Sequence, residues 1–186
     1  MPKKRIAPEI LAVETLARTR LFEIEAVDLR FSNGVQTRFE RIKGNPGGAV
    51  LIVPMPDEQT VLLTREYATG VGRYEIGLPK GRIEKGESVL IAANREMKEE
   101  IGFGAKTLTL LSKISANPAY SGQMTYVVLA ESLYPESLEG DEPEPIEVIP
   151  WPIEEIDSLI ASGECTEARS LAALYMTRDI LRRRHG

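Results

Sequence analysis

The sequence predicts an α/β fold built largely from strands, and three observations predict it. Ala49-Val-Leu-Ile-Val-Pro54 is a continuous apolar run of strand length, suited to a strand buried on both faces. Ser32-Asn33-Gly34 joins two extended segments, and Asn-Gly between such runs signals a hairpin because both residues tolerate positive φ. Residues 88–101 carry Leu90, Ala93, Met97 and Ile101 at spacings of three and four, the period of an amphipathic helix set among strand-like stretches.

In chain order, residues 21–31 and 35–42 form the two arms of that hairpin, and the glycine- and proline-containing loop 43–48 follows. The apolar strand at 49–54 is followed by a Pro56-Asp57-Glu58 turn and a second strand at 60–66. Residues 67–80 hold glycines and two tyrosines and read as a loop and a short strand. The helix then runs from about Ser88 to Ile101, with its glutamates beside the apolar stripe, and Gly102 and Gly104 stop it. Strands are expected at 107–115 and 124–131, with a polar loop at 117–122 between them. An acidic, proline-interrupted segment leads to a last strand at 146–151, and helices close the chain at 153–160 and 166–184. The organisation expected is an N-terminal β-hairpin arm over residues 1–45 and a main domain over 46–186.

Composition removes several classes of function. Its 186 residues are 42% hydrophobic and 27% charged, enough for one solid core. No run approaches the roughly 18 apolar residues of a membrane span, and the first residues lack a long apolar leader, so a cytoplasmic address without membrane contact is expected. The single cysteine, Cys165, reads as an ordinary thiol near a helix, and the single histidine, His185, stands beside the C-terminus. Histidine catalysis and zinc cages are thereby disfavoured, and any metal should be a hard one held by oxygen. A net charge of −5 argues against general nucleic-acid affinity, and Arg182 to Arg184 reads as a helix end complementing its dipole.

Residues 81–103 concentrate the chemistry. Glu96, Glu99 and Glu100 fall within five positions, so Glu96 neighbours both others on a helix, while Arg95 reaches Glu99 across one turn. Like charges so placed cost about 0.2–0.5 kcal/mol per pair, and a hard divalent cation would turn that repulsion into binding. Gly81, Glu87, Arg95-Glu96, Glu99-Glu100 and Gly102, at these offsets, form a pattern of high specificity. It resembles the Nudix box at every defined position.

The resemblance implies a Nudix α/β/α sandwich with a mixed sheet. It also implies Mg²⁺-dependent hydrolysis, with Mn²⁺ as the alternative ion, of a nucleoside diphosphate linked to another moiety. Carried over, Glu96 and Glu100 would be the main metal ligands, Glu99 a further one, and the carbonyl of Lys80 an inner-sphere candidate. Arg95 and Glu87 would pair to hold loop and helix together, with a place in an outer shell of the metals as the alternative for Glu87. The N-terminal hairpin, the Thr64-Arg65-Glu66-Tyr67 segment, and the loops at 116–122 and 137–145 are similar to the ADP-ribose pyrophosphatase branch, and within it to bacterial ADP-compounds hydrolases. That subfamily acts on ADP-ribose, diadenosine oligophosphates and NADH, releasing AMP, and its relatives are homodimers whose arms help build the partner's site.

By the same resemblance Glu142 and Glu144 would supply the general base or a further metal ligand. A base from the box helix, Glu99 or Glu100, is the alternative. Arg65 and Arg73 could meet phosphates, and Tyr67, Tyr74 or Tyr120 could stack on adenine; surface ion pairs and core packing are the competing readings. Two positions depart from the commoner pattern: Gly77, where a glutamate usually stands four before the box glycine, and Ala68, where an arginine often follows the tyrosine. Rival functions are a regulatory module that binds ADP-ribose without cutting it, a Nudix hydrolase of another nucleoside or inositol polyphosphate, and an interaction protein using its acidic loop.

Overall fold

The computed structural model describes residues 5–185 and divides them into two compact units. One takes the chain up to Pro46 together with Ser115–Met124; the other holds Gly47–Ile114 and the chain from Thr125 onward.

The first unit is a three-stranded antiparallel sheet of β1 (Glu9–Arg18), β2 (Glu23–Arg30) and β3 (Gln36–Ile42). The expected hairpin is β2–β3, closed by Gly34 at φ +85°. The expectation omitted β1, whose ten residues are all exposed. Its sequence, EILAVETLAR, is rich in helix formers, and only a partner strand makes it extended. Ion pairs stitch the strands together, Arg38 meeting Glu14 and Asp28, and Arg41 meeting Glu25. The 117–122 turn belongs to this unit, where Ile42 donates its backbone N–H to the Tyr120 carbonyl at 2.8 Å.

The second unit is organised by β4 (Ala49–Pro54) and β9 (Met124–Pro135), which run parallel in the centre of a four-stranded sheet, β7-β4-β9-β8. β7 is Lys80–Arg82 and β8 is Phe103–Ser115. Alternation along β4 sends Leu51 and Val53 to one face and Val50 and Ile52 to the other. The first face packs on a second sheet, β10-β5-β6, and on two helices. Here β5 is Thr60–Ala68, β6 Arg73–Gly77 and β10 Glu147–Pro152. The opposite face packs on the helix α1 (Val89–Glu100). The chain closes with a 3-10 turn at Ile153–Glu155, α2 (Ile156–Ser162) and α3 (Ala168–His185). Among the described residues no helix is long and apolar enough to cross a membrane.

Helix α1 starts where expected, with Ser88 Oγ accepting from the Ile91 N–H, and ends at Ile101 before Gly102 at φ +73°. Its buried face is rotated from the expected stripe. Leu90 is 39% exposed, whereas Ala92, Ala93, Glu96, Met97 and Glu100 are buried. Two alanines let the helix lie close to the sheet, and that approach carries the two glutamates inward with it. Gly104 does not stop the helix; it lies within β8, where a side chain would collide with the ring of Tyr134.

Candidate active site

The turn that becomes β7 and the helix α1 build the site between them. A Cβ added to Gly81 would lie 1.9 Å from Glu96 Cδ, so the Glu96 carboxylate rests directly on a backbone that only glycine leaves open. One residue earlier, the Lys80 N–H donates to Glu100 Oε2 at 3.2 Å. Arg95 ties the helix to the loop before it. Its guanidinium donates to Glu87 at 3.0 Å and to the Arg82 carbonyl at 2.9 Å. It also reaches Glu96 Oε1 and Glu99 Oε2, each at 2.8 Å. The expected pairing of Arg95 with Glu87 is present, and the same cation softens the repulsion between Glu96 and Glu99.

Electrostatics separates these carboxylates. Arg95 holds Glu87 below the usual carboxylate range, while burial pushes Glu96 above it and Glu100 up to about 8. The charges of Glu66 and Glu96 push Glu100 further in the same direction. The donors gathered here are carboxylates and backbone, all oxygen on the acceptor side, which suits a hard divalent cation that would restore the missing positive charge. Among the described residues no three acidic, histidine or cysteine side chains converge into a closed metal cage, because Arg95 draws Glu96 and Glu99 toward itself. The glutamate seated on Gly81 nevertheless gives such a cation a cradle at the helix surface.

The acidic loop is held against the end of α1. Leu138 N–H donates to the Lys98 carbonyl at 3.0 Å, Glu136 N–H to the Gly102 carbonyl at 3.1 Å, and Lys98 Nζ pairs with Glu136 at 2.8 Å. Glu142 is half-buried and its charge acts on Glu96. Glu144 is exposed and accepts from the Tyr74 hydroxyl at 2.7 Å. Tyr74 meets Tyr67 edge to face with centroids 5.4 Å apart. The structure therefore joins Tyr67, Tyr74 and Glu144 in one contact chain.

Other candidates lie elsewhere. Arg65 is paired with Glu147 and with Glu164, each at 3.0 Å, and Arg73 with Glu75 at 2.6 Å, so both arginines already have carboxylate partners. Tyr120 belongs to the other unit, half-exposed on its turn. Cys165 is buried between α2 and α3, and burial pushes its thiol up to about 11, the opposite of an activated nucleophile. Arg182 pairs with Glu154 and Arg184 with Glu131, so the basic tail is bound within the unit. Sequence reasoning missed the Lys80 side chain, which pairs with Glu66 at 2.8 Å, and the Lys98 clamp; neither has a motif, since each joins two separate elements, β7 with β5 and α1 with the segment after β9.

Comparison with known proteins places this geometry in context. The NUDIX domain profile matches residues 45–172, and that of the NudE-type Nudix hydrolase N-terminal domain matches residues 8–41. Over 182 residues the chain is 50% identical to the ADP compounds hydrolase NudE of Escherichia coli (strain K12), covering 98% of this chain and 97% of that one. The ADP-ribose pyrophosphatase of Bacillus subtilis (strain 168) is 29% identical over 173 residues, 92% of each chain. A solved structure described as the crystal structure of ADP compounds hydrolase superposes with a TM-score of 0.90 at 49% identity, covering 98% of both chains.

Proposed function

Because the chain belongs to the Nudix hydrolase family and is a Nudix pyrophosphohydrolase, we propose that it hydrolyses the pyrophosphate bond of ADP-linked compounds and releases AMP. The substrates proposed are ADP-ribose, diadenosine oligophosphates and NADH. The observation that carries this reading is the seating of Glu96 on Gly81 beside Glu100 on the Lys80 amide, a carboxylate cluster on a turn that leaves backbone exposed.

Glu96, Glu99, Glu100 and the Lys80 carbonyl would hold Mg²⁺ or Mn²⁺. When bound, the ion supplies positive charge where the pyrophosphate oxygens become more negative. The remaining work falls to the chain. Arg95 keeps α1 and the preceding loop in register, so the carboxylates meet the substrate as one rigid face. Glu142 accepts the proton of the attacking water as its oxygen bonds to phosphorus and the bridging P–O bond breaks. Glu144, held by Tyr74, positions the loop. Glu142 is favoured as base because its charge already acts on Glu96, whereas Glu144 is occupied by a phenol. Incubation with Mg²⁺ and each proposed substrate should yield AMP; metal-dependent turnover of none of them would refute the substrate assignment.

The N-terminal sheet is proposed as a homodimerisation arm, with 1–45 as arm and 46–186 as catalytic domain in a cytoplasmic enzyme. Leu16 and Phe39 are exposed on the sheet and Phe22 on the turn that joins β1 to β2, more apolar surface than a short antiparallel sheet leaves to water without cause. A Leu16→Glu, Phe39→Glu double variant should sediment as a monomer while keeping its fold. A variant that stayed dimeric would remove the arm from the interface.

A further inference from the structure

The loop after β9 comes back along the last turn of α1, and alternate residues of it meet that turn. Glu136 N–H donates to the Gly102 carbonyl and Leu138 N–H to the Lys98 carbonyl. Gly140 is next in the series. A Cβ built on it would lie 3.6 Å from the Glu99 carbonyl oxygen, an ordinary contact, so the loop runs against the helix end as far as Gly140.

The same added atom would lie 2.2 Å from Glu142 Oε2 and 3.3 Å from Glu142 Cδ. A carboxylate oxygen therefore occupies the volume that a side chain at position 140 would need. Glu142 has turned back over its own loop and rests on bare backbone beside the end of α1. No attraction holds it there. Among the described residues neither a hydrogen bond nor an ion pair reaches its carboxylate, whereas Glu136 is tied by Lys98 and Glu144 by Tyr74. The helix end presents carbonyls and the negative pole of the dipole, and the Glu96 charge repels it as well. Shape alone sets its place.

Two features of the chain sharpen that shape. Glu142 precedes Pro143, whose ring disfavours helical backbone at the residue before it and leaves fewer ways to carry the carboxylate elsewhere. Gly140 is not in the left-handed region, so the turn does not use a glycine for its dihedral freedom. What the position requires is the lack of a side chain.

We infer that Gly140 is a positioning residue for the proposed base: the room left by its missing side chain seats the Glu142 carboxylate beside the end of α1. Its place in the reaction rests on the reading of Glu142 as proton acceptor. A steric seat suits that role, because it fixes the carboxylate relative to its own loop without a donor occupying either oxygen. Both oxygens stay open to the attacking water.

Gly140→Ala fills the seat. Only the far end of the Glu142 side chain stands in the way of the methyl, so the fold should accept it, and the thermal midpoint should hold or rise because alanine restricts the unfolded chain. Displacing the base should lower kcat roughly tenfold while KM and the Mn²⁺ dissociation constant stay within about twofold. In a Glu142→Gln background the same substitution should change kcat by less than about twofold, since the group it displaces no longer takes the proton. An equal loss in both backgrounds, as a purely structural glycine would give, overturns the inference, and so does an unchanged kcat in the single variant. Glu142→Gln with the wild-type kcat would remove the base assignment itself, and the role of Gly140 with it. Should none of the proposed substrates be turned over, NMR of protein labelled with ¹³C at the glutamate carboxyls decides the seat alone. The resonance that vanishes in Glu142→Gln should shift in Gly140→Ala; an unmoved resonance refutes the seat whatever the kinetics.

Discussion

Carboxylates reach the candidate active site on two kinds of backbone. Helix α1 delivers Glu96 and Glu100 from a buried face, fixed by a Ser88 cap, by the Gly81 contact and by an arginine with four partners. The loop after β9 delivers Glu142 and Glu144 from a largely exposed, proline-interrupted segment, held by two backbone bonds, the Lys98 pair and the Tyr74 hydroxyl. The difference fits the two roles proposed for these residues. Metal ligands gain from rigidity, since a site that does not reorganise loses no binding energy on assembly. A proton acceptor must meet a water whose position depends on the substrate, and a loop with a few discrete tethers can adjust to it.

That contrast can be broken experimentally, most severely at the helix. Glu100→Gln should lower kcat by a factor on the order of 10³, since it removes a charge from the proposed metal set. The thermal midpoint should hold, because burial already disfavours the ionised form. A near-normal rate would mean the helix does not carry the metal. A smaller loss is expected on the loop: Glu142→Gln should cost about 10² in kcat, the range of general-base removal, and Glu144→Gln distinctly less. The reverse order would exchange their roles. Lys98→Met, which cuts the clamp but touches no proposed ligand, should reduce kcat only severalfold. If it matched Glu142→Gln, the loop would be as rigid a carrier as the helix.

Much of this was legible in the residues. The strand at β4 was readable to the residue, because a run apolar on both faces admits one reading, and α1 because cap, period and terminal glycine agree. The box residues were legible because one helix and one turn supply most of them. β1 was hidden because its extended state depends on pairing with β2. The inward turn of Glu96 and Glu100 was hidden because helical periodicity ranks charged residues as outward, and only the close approach of Ala92 and Ala93 rotates them in. Phosphate contact and surface ion pairing stayed open for Arg65 because its partners, Glu147 and Glu164, come from strand pairing and from the loop before α3, whereas the partner of Arg73, Glu75, stands two residues along the same strand.

The sequence by itself determined which atoms are available: clustered carboxylates at helical spacing, a glycine before them, no usable histidine and one inert thiol. Those are local facts, set by spacing along one element and by composition. Tertiary structure decided which carboxylates are buried, which arginines are already paired, and that Gly140 lies against the end of α1. Burial and register are properties of elements brought together from distant parts of the chain.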